Sequence, residues 1–214
     1  MLQRGIGLSG EDQRFFVAGR IKDLEGQLPR GWKPSRILDF GCGLGYSSKY
    51  LADRFSGAEV VGLDTASNAL DEAQKTYGST LIRFQHTDSL RDLVPFDLCY
   101  VNGVFHHILP AERAGVVRAI YEALNPGGYF ALFENNPWNP GTRMVMKRIP
   151  FDRDAITLTP PETLALVRSG GFSAAIPTRS LFYFPRPLAA LRPLEPALAR
   201  LPLGAQYYVL GIKS

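Results

Sequence analysis

The chain of 214 residues carries 24 lysines and arginines against 20 aspartates and glutamates, which gives a formal net charge of +4. Its length and its 45% hydrophobic content suit one α/β domain with a full core and exclude two ordinary domains. No run approaches the roughly 18 consecutive apolar residues that a membrane-spanning helix needs, so we expect no transmembrane segment.

The two cysteines and the first residues bear on the compartment. Cys42 and Cys99 are too few for a disulfide framework, and each lies in a stretch typical of a buried strand or a strand edge. Met1–Gly10 lacks the apolar core of a signal peptide. We therefore expect reduced thiols in a cytoplasmic protein.

The charge is unevenly distributed along the chain. Residues 1–136 carry 14 basic against 16 acidic residues, whereas residues 137–214 carry 10 against 4. A basic excess of this kind can attract an acidic substrate, an anionic membrane surface or nucleic acid. Scattered arginines on a solvated surface are the alternative, because no block of five like charges occurs.

Strands and helices alternate through the first two thirds of the chain. Apolar residues recur at helical spacing from Glu11 to Leu28, which predicts a leading amphipathic helix. Ile37–Phe40 is a short apolar run closed by glycines, as in a buried parallel strand. The elements predicted after it are helix Leu44–Phe55, strand Glu59–Leu63, helix Ser67–Thr76, strand Leu81–His86, strand Phe96–Val101, helix Pro110–Leu124 and strand Tyr129–Glu134. This order predicts a doubly wound, Rossmann-like α/β fold.

The alternation stops after Glu134. The remaining predicted elements are an irregular loop over 135–160, a helix at Pro161–Ser169 and final strands near Phe172–Thr178 and Gln206–Ile212. Between those strands, Pro185–Leu203 contains five prolines. It predicts an insertion folded over one end of the sheet, with at most one short helix around Ala197–Leu201.

A glycine cluster follows the first strand in the segment Asp39-Phe40-Gly41-Cys42-Gly43-Leu44-Gly45. At a strand-to-helix turn, glycines let the backbone approach a ligand beside the free N–H groups of the helix, although plain packing is the alternative. Asp64 ends the second strand, where a carboxylate can accept hydrogen bonds from both hydroxyls of a ribose. The pattern therefore predicts an adenosine-bearing cofactor. A nicotinamide fingerprint would need glycine at position 46, which is Tyr46.

The spacing resembles the Asp-x-Gly-x-Gly-x-Gly motif of class I S-adenosylmethionine-dependent methyltransferases. Further matches to this family follow in order within residues 35–134, namely Asp64, Thr87-Asp88-Ser89-Leu90, Asn102-Gly103, Phe105-His106-His107-Ile108 and Asn125-Pro126-Gly127-Gly128. The resemblance implies a seven-stranded, mostly parallel sheet with a C-terminal antiparallel hairpin. It also implies S-adenosyl-L-methionine as the cofactor.

The resemblance places the cofactor contacts at the strand ends. It implies that Asp39 holds the amino group, Asp64 the ribose, and Asp88 the adenine, with the N–H of Ser89 beside the ring and Asn102 at the methionine end. The full predicted set is Asp39, Gly41, Cys42, Gly43, Asp64, Thr65, Asp88, Ser89 and Asn102. As an alternative, Asp64 and Asp88 cap the turns that follow them, and both roles can coexist.

The acceptor side is predicted to contain two catalytic residues, His107 and Glu134, because both follow strand ends at the mouth of the expected pocket. His107 is a candidate base or acceptor-orienting residue, with a structural histidine as the alternative. The segment Asn135–Pro140 is expected either in the acceptor pocket or as a loop whose asparagines satisfy their own backbone. Pro185–Leu203 is a candidate lid, and no metal ligands are predicted.

We expect a small-molecule acceptor, apolar or aromatic with an acidic group, and a monomer or homodimer. A nucleic-acid adenine methyltransferase would carry Asp/Asn-Pro-Pro-aromatic after the fourth strand, where this chain has Asn102-Gly103-Val104-Phe105. Nucleic acid is therefore not an expected partner. A non-catalytic cofactor-binding subunit is the other alternative. We predict one domain over residues 1–214, with an N-terminal helix (1–30), a cofactor-binding core (35–134) and an acceptor-side part (135–214).

Overall fold

The computed structural model describes residues 10–93, 95–152 and 154–214, so the signal-peptide prediction for Met1–Gly10 lies outside them apart from its last residue. The strands are β1 (Arg36–Phe40), β2 (Glu59–Asp64), β3 (Ile82–His86), β4 (Phe96–Asn102), β5 (Leu124–Asn135), β6 (Ser173–Leu181) and β7 (Gln206–Ile212). The α-helices are α1 (Gln13–Gln27), α2 (Tyr46–Arg54), α3 (Ser67–Tyr77), α4 (Pro110–Ala123), α5 (Pro140–Arg148), α6 (Pro160–Ser169) and α7 (Glu195–Leu198). Short 3₁₀ helices occupy Thr87–Asp92, Phe105–His107, Pro150–Asp152 and Arg186–Leu194.

The strands form one sheet in the order β3-β2-β1-β4-β5-β7-β6. Strands β1 to β5 are parallel, whereas β7 runs antiparallel to both β5 and β6. The predicted doubly wound, mostly parallel sheet with a C-terminal antiparallel hairpin is confirmed. The largest difference in a strand boundary is at β5, which begins at Leu124 and includes the segment predicted as a turn before it.

Helices cover both faces of the sheet, which explains the continuous apolar runs of the central strands. In β1, Leu38 and Phe40 belong to a core that also contains apolar residues of α4 and α6. Ile37 belongs to a second core with residues of α1 and α2. None of the helices within the described ranges is long and apolar enough to cross a membrane.

The sheet places several chain segments at one edge. Strands β1, β2, β4 and β5 all end there, because they are parallel. Strand β7 starts there, since Gln206 pairs with both Asn135 and Leu181. The connection from β6 to β7, which contains Pro185–Leu203, therefore begins and ends at the carboxyl edge where ligands bind in such sheets.

The predicted irregular loop over 135–160 is wrong in part, because α5 and a 3₁₀ turn lie within it. Asn139 caps α5, with its side chain accepting a hydrogen bond from the backbone N–H of Thr142, and Pro140 occupies the first turn. Proline fits a first turn because its missing N–H has no intrahelical partner there. Asparagine and proline, which indicated a loop in the sequence, therefore mark the capped start of a helix.

The expectation of one short helix at Ala197–Leu201 is also wrong in extent and position. A 3₁₀ helix with a kink at Leu188 runs from Arg186 to Leu194, and α7 follows it. The carboxylate of Glu195 accepts hydrogen bonds from the backbone N–H groups of Tyr183 and Phe184. The Arg192 guanidinium pairs with Glu11, near the start of α1. These contacts give the proline-rich insertion a defined shape.

Candidate functional site

Three polar side chains meet at the carboxyl ends of neighbouring strands. In the sheet register, Phe40 of β1 lies opposite Leu63 of β2 and Val101 of β4. Asp64 and Asn102 are the next residues of β2 and β4, and Asp39 precedes Phe40. Parallel pairing therefore gathers two carboxylates and an amide around the turn that leaves β1.

The glycine turn has a different reason for each glycine. Gly41, Gly43 and Gly45 all have positive φ angles. A Cβ atom on Gly41 would lie 2.3 Å from Val104, and one on Gly45 would lie 2.5 Å from Phe84. A Cβ on Gly43 would meet nothing within 4 Å. Two of the glycines therefore serve packing, and Gly43 presents backbone to open space, where a ligand can approach closely.

Cys42 within this turn is buried by the protein itself. Its backbone N–H donates to the carbonyl of Leu63 at 3.0 Å, and its thiol points toward the carbonyl of Gly43. Burial raises the pKa of the thiol, with the charges of Asp39 and Asp64 adding to the effect. The thiol is thus a neutral packing group, and any cofactor contact from Cys42 would come from its backbone.

Asp64 fixes the turn and still offers acceptor sites. One carboxylate oxygen accepts the N–H of Gly43 at 2.8 Å, and the other accepts the N–H of Ala66 at 2.9 Å. Each carboxylate oxygen has a second lone pair for a hydroxyl donor. The capping alternative is therefore present in the structure beside the predicted binding role. Thr65, the next residue, is exposed.

Asp39 is a buried acid with a raised pKa. Its side chain is almost fully buried and accepts a 2.6 Å hydrogen bond from the hydroxyl of Ser48 on α2. Burial and the nearby charge of Asp64 raise the pKa of Asp39 to about 7, although the Ser48 hydrogen bond opposes the shift. A cation placed beside Asp39 would favour its charged form.

The third strand end contributes exposed polar residues. Asp88 and Ser89 lie in the 3₁₀ helix that follows β3. The Asp88 side chain is 91% exposed and lies 3.0 Å from Nδ1 of His86. The Ser89 hydroxyl donates to the backbone carbonyl of His86. Since His86 accepts the N–H of Asp88, the capping group of this turn is His86, and the capping alternative for Asp88 is wrong.

Asn102 carries a buried polar atom without a partner. Its Oδ1 accepts no hydrogen bond from any group in the described part of the chain. Buried acceptors normally receive a hydrogen bond, because a buried polar group without one costs about 1–3 kcal/mol of stability. Gly103 follows with a φ of +67°, which turns the chain sharply away from the strand end. The carbonyl oxygen of Asn102 is therefore available for a donor that the chain does not supply.

Glu134 and His106 form a buried ion pair at the end of β5. One Glu134 oxygen accepts the N–H of Phe105 at 2.8 Å, and the other lies 2.5 Å from Nδ1 of His106. Burial lowers the pKa of His106, but Asp152 and Glu134 outweigh it and raise the pKa to about 9. Only 1% of the Glu134 side chain is exposed and both of its oxygens are engaged by protein groups, so burial favours a positioning role over direct contact with an acceptor.

His107 lies nearer to the surface, with 25% of its side chain exposed. Its Nε2 is 3.4 Å from Oδ1 of Asp152, and Nε2 of His106 is 3.7 Å from the same oxygen. Burial and the neighbouring His106 lower the pKa of His107, which leaves it neutral at pH 7. The two rings lie 4.1 Å apart between centroids, so Asp152 contacts a compact histidine pair.

The asparagine side chains after β5 follow neither predicted alternative. They do not line an open pocket, and their hydrogen bonds are not limited to their own backbone. The Asn136 side chain is buried and donates to the carbonyls of Pro202 and Gly204, while Asn139 donates to the carbonyl of Leu203. Asn136 also accepts the N–H of Trp138. These amides join the segment to the end of the β6–β7 connection.

A family model described as a methyltransferase domain matches residues 38–130, the stretch that contains the glycine turn and four of the strand ends. The match covers less than half of the chain, and over that stretch the chain is similar to a methyltransferase domain. The sheet order is that of a Rossmann-like fold.

Several of the curated proteins that this chain resembles are named trans-aconitate 2-methyltransferase. The Rhizobium leguminosarum protein is 31% identical over 122 residues, which is 57% of this chain and 45% of the relative. The Afipia carboxidovorans protein is 26% identical over 191 residues, or 89% of this chain and 68% of the relative. The chain spans about half the length of most of the curated relatives that it matches.

A solved S-adenosylmethionine-dependent methyltransferase from Mesorhizobium loti shares the fold of this chain. Its TM-score is 0.65 at 21% identity, with 92% of this chain and all of that chain covered. At this identity the likeness concerns the fold, which includes the order of the strands and the edge at which they end.

The residues at this edge of the sheet fit S-adenosylmethionine, the compound named in the description of the similar solved structure. The unpaired Oδ1 of Asn102 and the carboxyl of Asp39 suit an ammonium group, because both accept hydrogen bonds. The free lone pairs of Asp64 suit two hydroxyls. The open space above Gly43 admits close approach of a ligand to the backbone.

Asp152 is a residue of the candidate site that the sequence did not indicate. This residue lies in the 3₁₀ turn after α5, within the segment predicted as a loop, so no strand-end argument reaches it. A Pro-Phe-Asp run was the one local signal of a tight turn. The structure places its carboxylate beside both His106 and His107.

The raised pKa of Asp39 predicts a stability that depends on pH. A buried carboxyl with a pKa near 7 binds a proton in the folded chain that the unfolded chain releases above about pH 4. The free energy of unfolding should therefore fall as pH rises from 4 to 7, by at most about 1.4 kcal/mol for each pKa unit. Asp39→Asn should lack this fall, as measured by urea unfolding at several pH values. Asp53→Asn, at an exposed position on α2, is the control, and an equal fall in both variants would contradict the assignment.

Proposed function

We propose that this chain binds S-adenosylmethionine at the carboxyl edge of β1, β2 and β4 and transfers its methyl group to a small acidic acceptor beside His107. The observation that supports this most strongly is the unpaired, buried Oδ1 of Asn102, which lies two residues beyond the strand partner of Asp39. S-adenosylmethionine supplies an activated methyl group on sulfur. The residues of the chain bind it, exclude water and align the acceptor.

An acidic acceptor is supported by charge and by the relatives. Arg143 and Lys147 on α5 line a shallow surface depression with Pro140 and Met144. Helix α5 starts five residues after β5 ends at the carboxyl edge. Two relatives are named for trans-aconitate, which is an organic acid. The basic excess of residues 137–214 fits the same kind of acceptor.

The acceptor's chemistry bears on the role of His107. A carboxylate is already ionised near pH 7, so it needs orientation and no proton removal, whereas a hydroxyl needs a base. The lowered pKa of His107 keeps the ring neutral and suited to either task. We assign His107 to the acceptor side because it is partly exposed past the end of β4.

The β6–β7 connection is proposed as the cover of the acceptor pocket. Its two ends lie at the carboxyl edge, and the Tyr183 hydroxyl donates to backbone carbonyls of Leu198 and Leu201. Large apolar side chains of the connection are exposed, as at Leu191 and Leu194. A preshaped cover needs less ordering on binding than a flexible tail does.

Replacing Asp64 tests the cofactor site. Asp64→Ala should weaken binding of S-adenosylhomocysteine by about 2 kcal/mol or more, because two charge-assisted hydrogen bonds are lost. Titration calorimetry measures the change, and circular dichroism checks that the turn held by Asp64 still folds. Asp71→Ala removes the same charge from an exposed position on α3 and should leave the affinity unchanged. Equal affinities of the two variants would contradict the ribose role.

Replacing His107 tests the acceptor side. His107→Gln should lower kcat at least about tenfold with an organic acid acceptor, while the affinity for S-adenosylhomocysteine stays within about twofold. If His107 is a base, kcat of the native chain also falls as pH drops below the lowered pKa of the ring. An orienting role predicts no such pH dependence. Loss of cofactor binding in His107→Gln would show that its role is structural.

A further inference from the structure

Three side chains at the acceptor side have the arrangement of a metal site. His106, His107 and Asp152 each offer one ligand atom, and these three atoms all lie within 4.8 Å of one another. The two histidine nitrogens are 3.7 and 3.4 Å from the Asp152 oxygen. Donors bound to one tetrahedral Zn²⁺ ion at about 2.0–2.1 Å lie roughly 3.3 Å apart. The two distances to Asp152 are close to this value, and the cluster as a whole, bounded at 4.8 Å, would contract on binding an ion.

The hydrogen bond on the far side of His106 is the second observation. Metal-binding histidines usually donate their other ring N–H to a carboxylate, which fixes the ring and increases its basicity. Glu134 occupies that place on Nδ1 of His106, and its other oxygen accepts the N–H of Phe105. Nε2 of His106 is thereby directed toward Asp152. This is the arrangement of a metal-binding histidine whose other ring nitrogen is hydrogen-bonded to a carboxylate.

The charge of the cluster matches a divalent cation. Two carboxylates, Asp152 and Glu134, surround two imidazoles, and both carboxylates are largely buried. A bound divalent ion would balance the two negative charges of these carboxylates. Two imidazoles and one carboxylate suit zinc and other first-row transition metals.

We propose that His106, His107 and Asp152 bind one divalent transition-metal ion, with Zn²⁺ as the reference ion, and leave a coordination position open for an oxygen atom of the acceptor. Sites with three protein ligands commonly keep such a position for water or substrate. An acidic acceptor would supply a carboxylate oxygen there. The role in acceptor binding rests on the proposed function, whereas the binding of the ion does not.

Zinc titration of the untagged, chelator-treated chain tests the proposal. Calorimetry should show saturable binding of one ion per chain, and Asp152→Asn should weaken it at least about tenfold. Visible absorption of bound Co²⁺ gives an independent readout of the ligand set. His86→Gln is a matched control, because His86 and Asp88 form an exposed histidine–carboxylate pair elsewhere. It should leave zinc affinity unchanged.

Two results would overturn the proposal. One is the absence of saturable zinc binding to the native chain. The other is equal zinc affinity in the native chain, Asp152→Asn and His86→Gln. Binding of S-adenosylhomocysteine, measured in the same samples, should be unchanged in Asp152→Asn. Methyl transfer that is insensitive to chelation would remove the ion's role in acceptor binding, and the proposed function would stand.

Discussion

The parallel pairing of β1 with β2 and β4 is the constraint on which the site depends. Because parallel strands end at the same edge, residues far apart in sequence meet there, as Asp39, Asp64 and Asn102 do. The apolar runs of these strands bury both faces and so fix their register. The turn at Gly43 then exposes backbone in the gap between strand ends, where an adenosine-bearing ligand can lie. The same strands therefore determine both the packing of the core and the geometry of the site.

The Glu134 and His106 pair has a similar role on the acceptor side. A buried carboxylate without partners costs several kcal/mol, and Glu134 avoids this cost through His106 and a backbone N–H. The pair fixes the ring of His106 and thereby the orientation of its Nε2 toward Asp152. A buried charge pair of this kind is weak support for stability and stronger support for a fixed geometry. The fixed ring of His106 lies beside His107, which is partly exposed on the acceptor side.

The strands and most helices were predictable from sequence because their signals are local. Apolar periodicity and glycine or proline boundaries placed β1 to β4 within a residue or two. Helix α5 was missed because its start is marked by asparagine and proline, which also mark loops. The partners of Asn136 were not predictable, since they are backbone carbonyls on a distant segment. Asp152 was missed because it follows no strand end, and the histidines that it contacts lie far from it in the sequence.

The position of the strand-end residues in the predicted cofactor set was predictable from sequence, whereas their contacts with the rest of the chain were predictable only in part. Asp39, Asp64 and Asn102 lie together at the strand ends, as the motif spacing indicated. The sequence did not indicate that Asp64 is also engaged by Gly43, or that Gly41 and Gly45 are required by Val104 and Phe84. Such contacts depend on side chains from other elements, so they cannot be predicted from the local sequence of one segment.

A crystal structure of the chain with S-adenosylhomocysteine tests the central claim most directly. The account predicts the ribose hydroxyls within hydrogen-bond distance of Asp64 and the amino group of the ligand beside Oδ1 of Asn102 and the carboxyl of Asp39. Ligand density at another edge of the sheet, or a bound ligand that leaves Oδ1 of Asn102 without a donor, would contradict it.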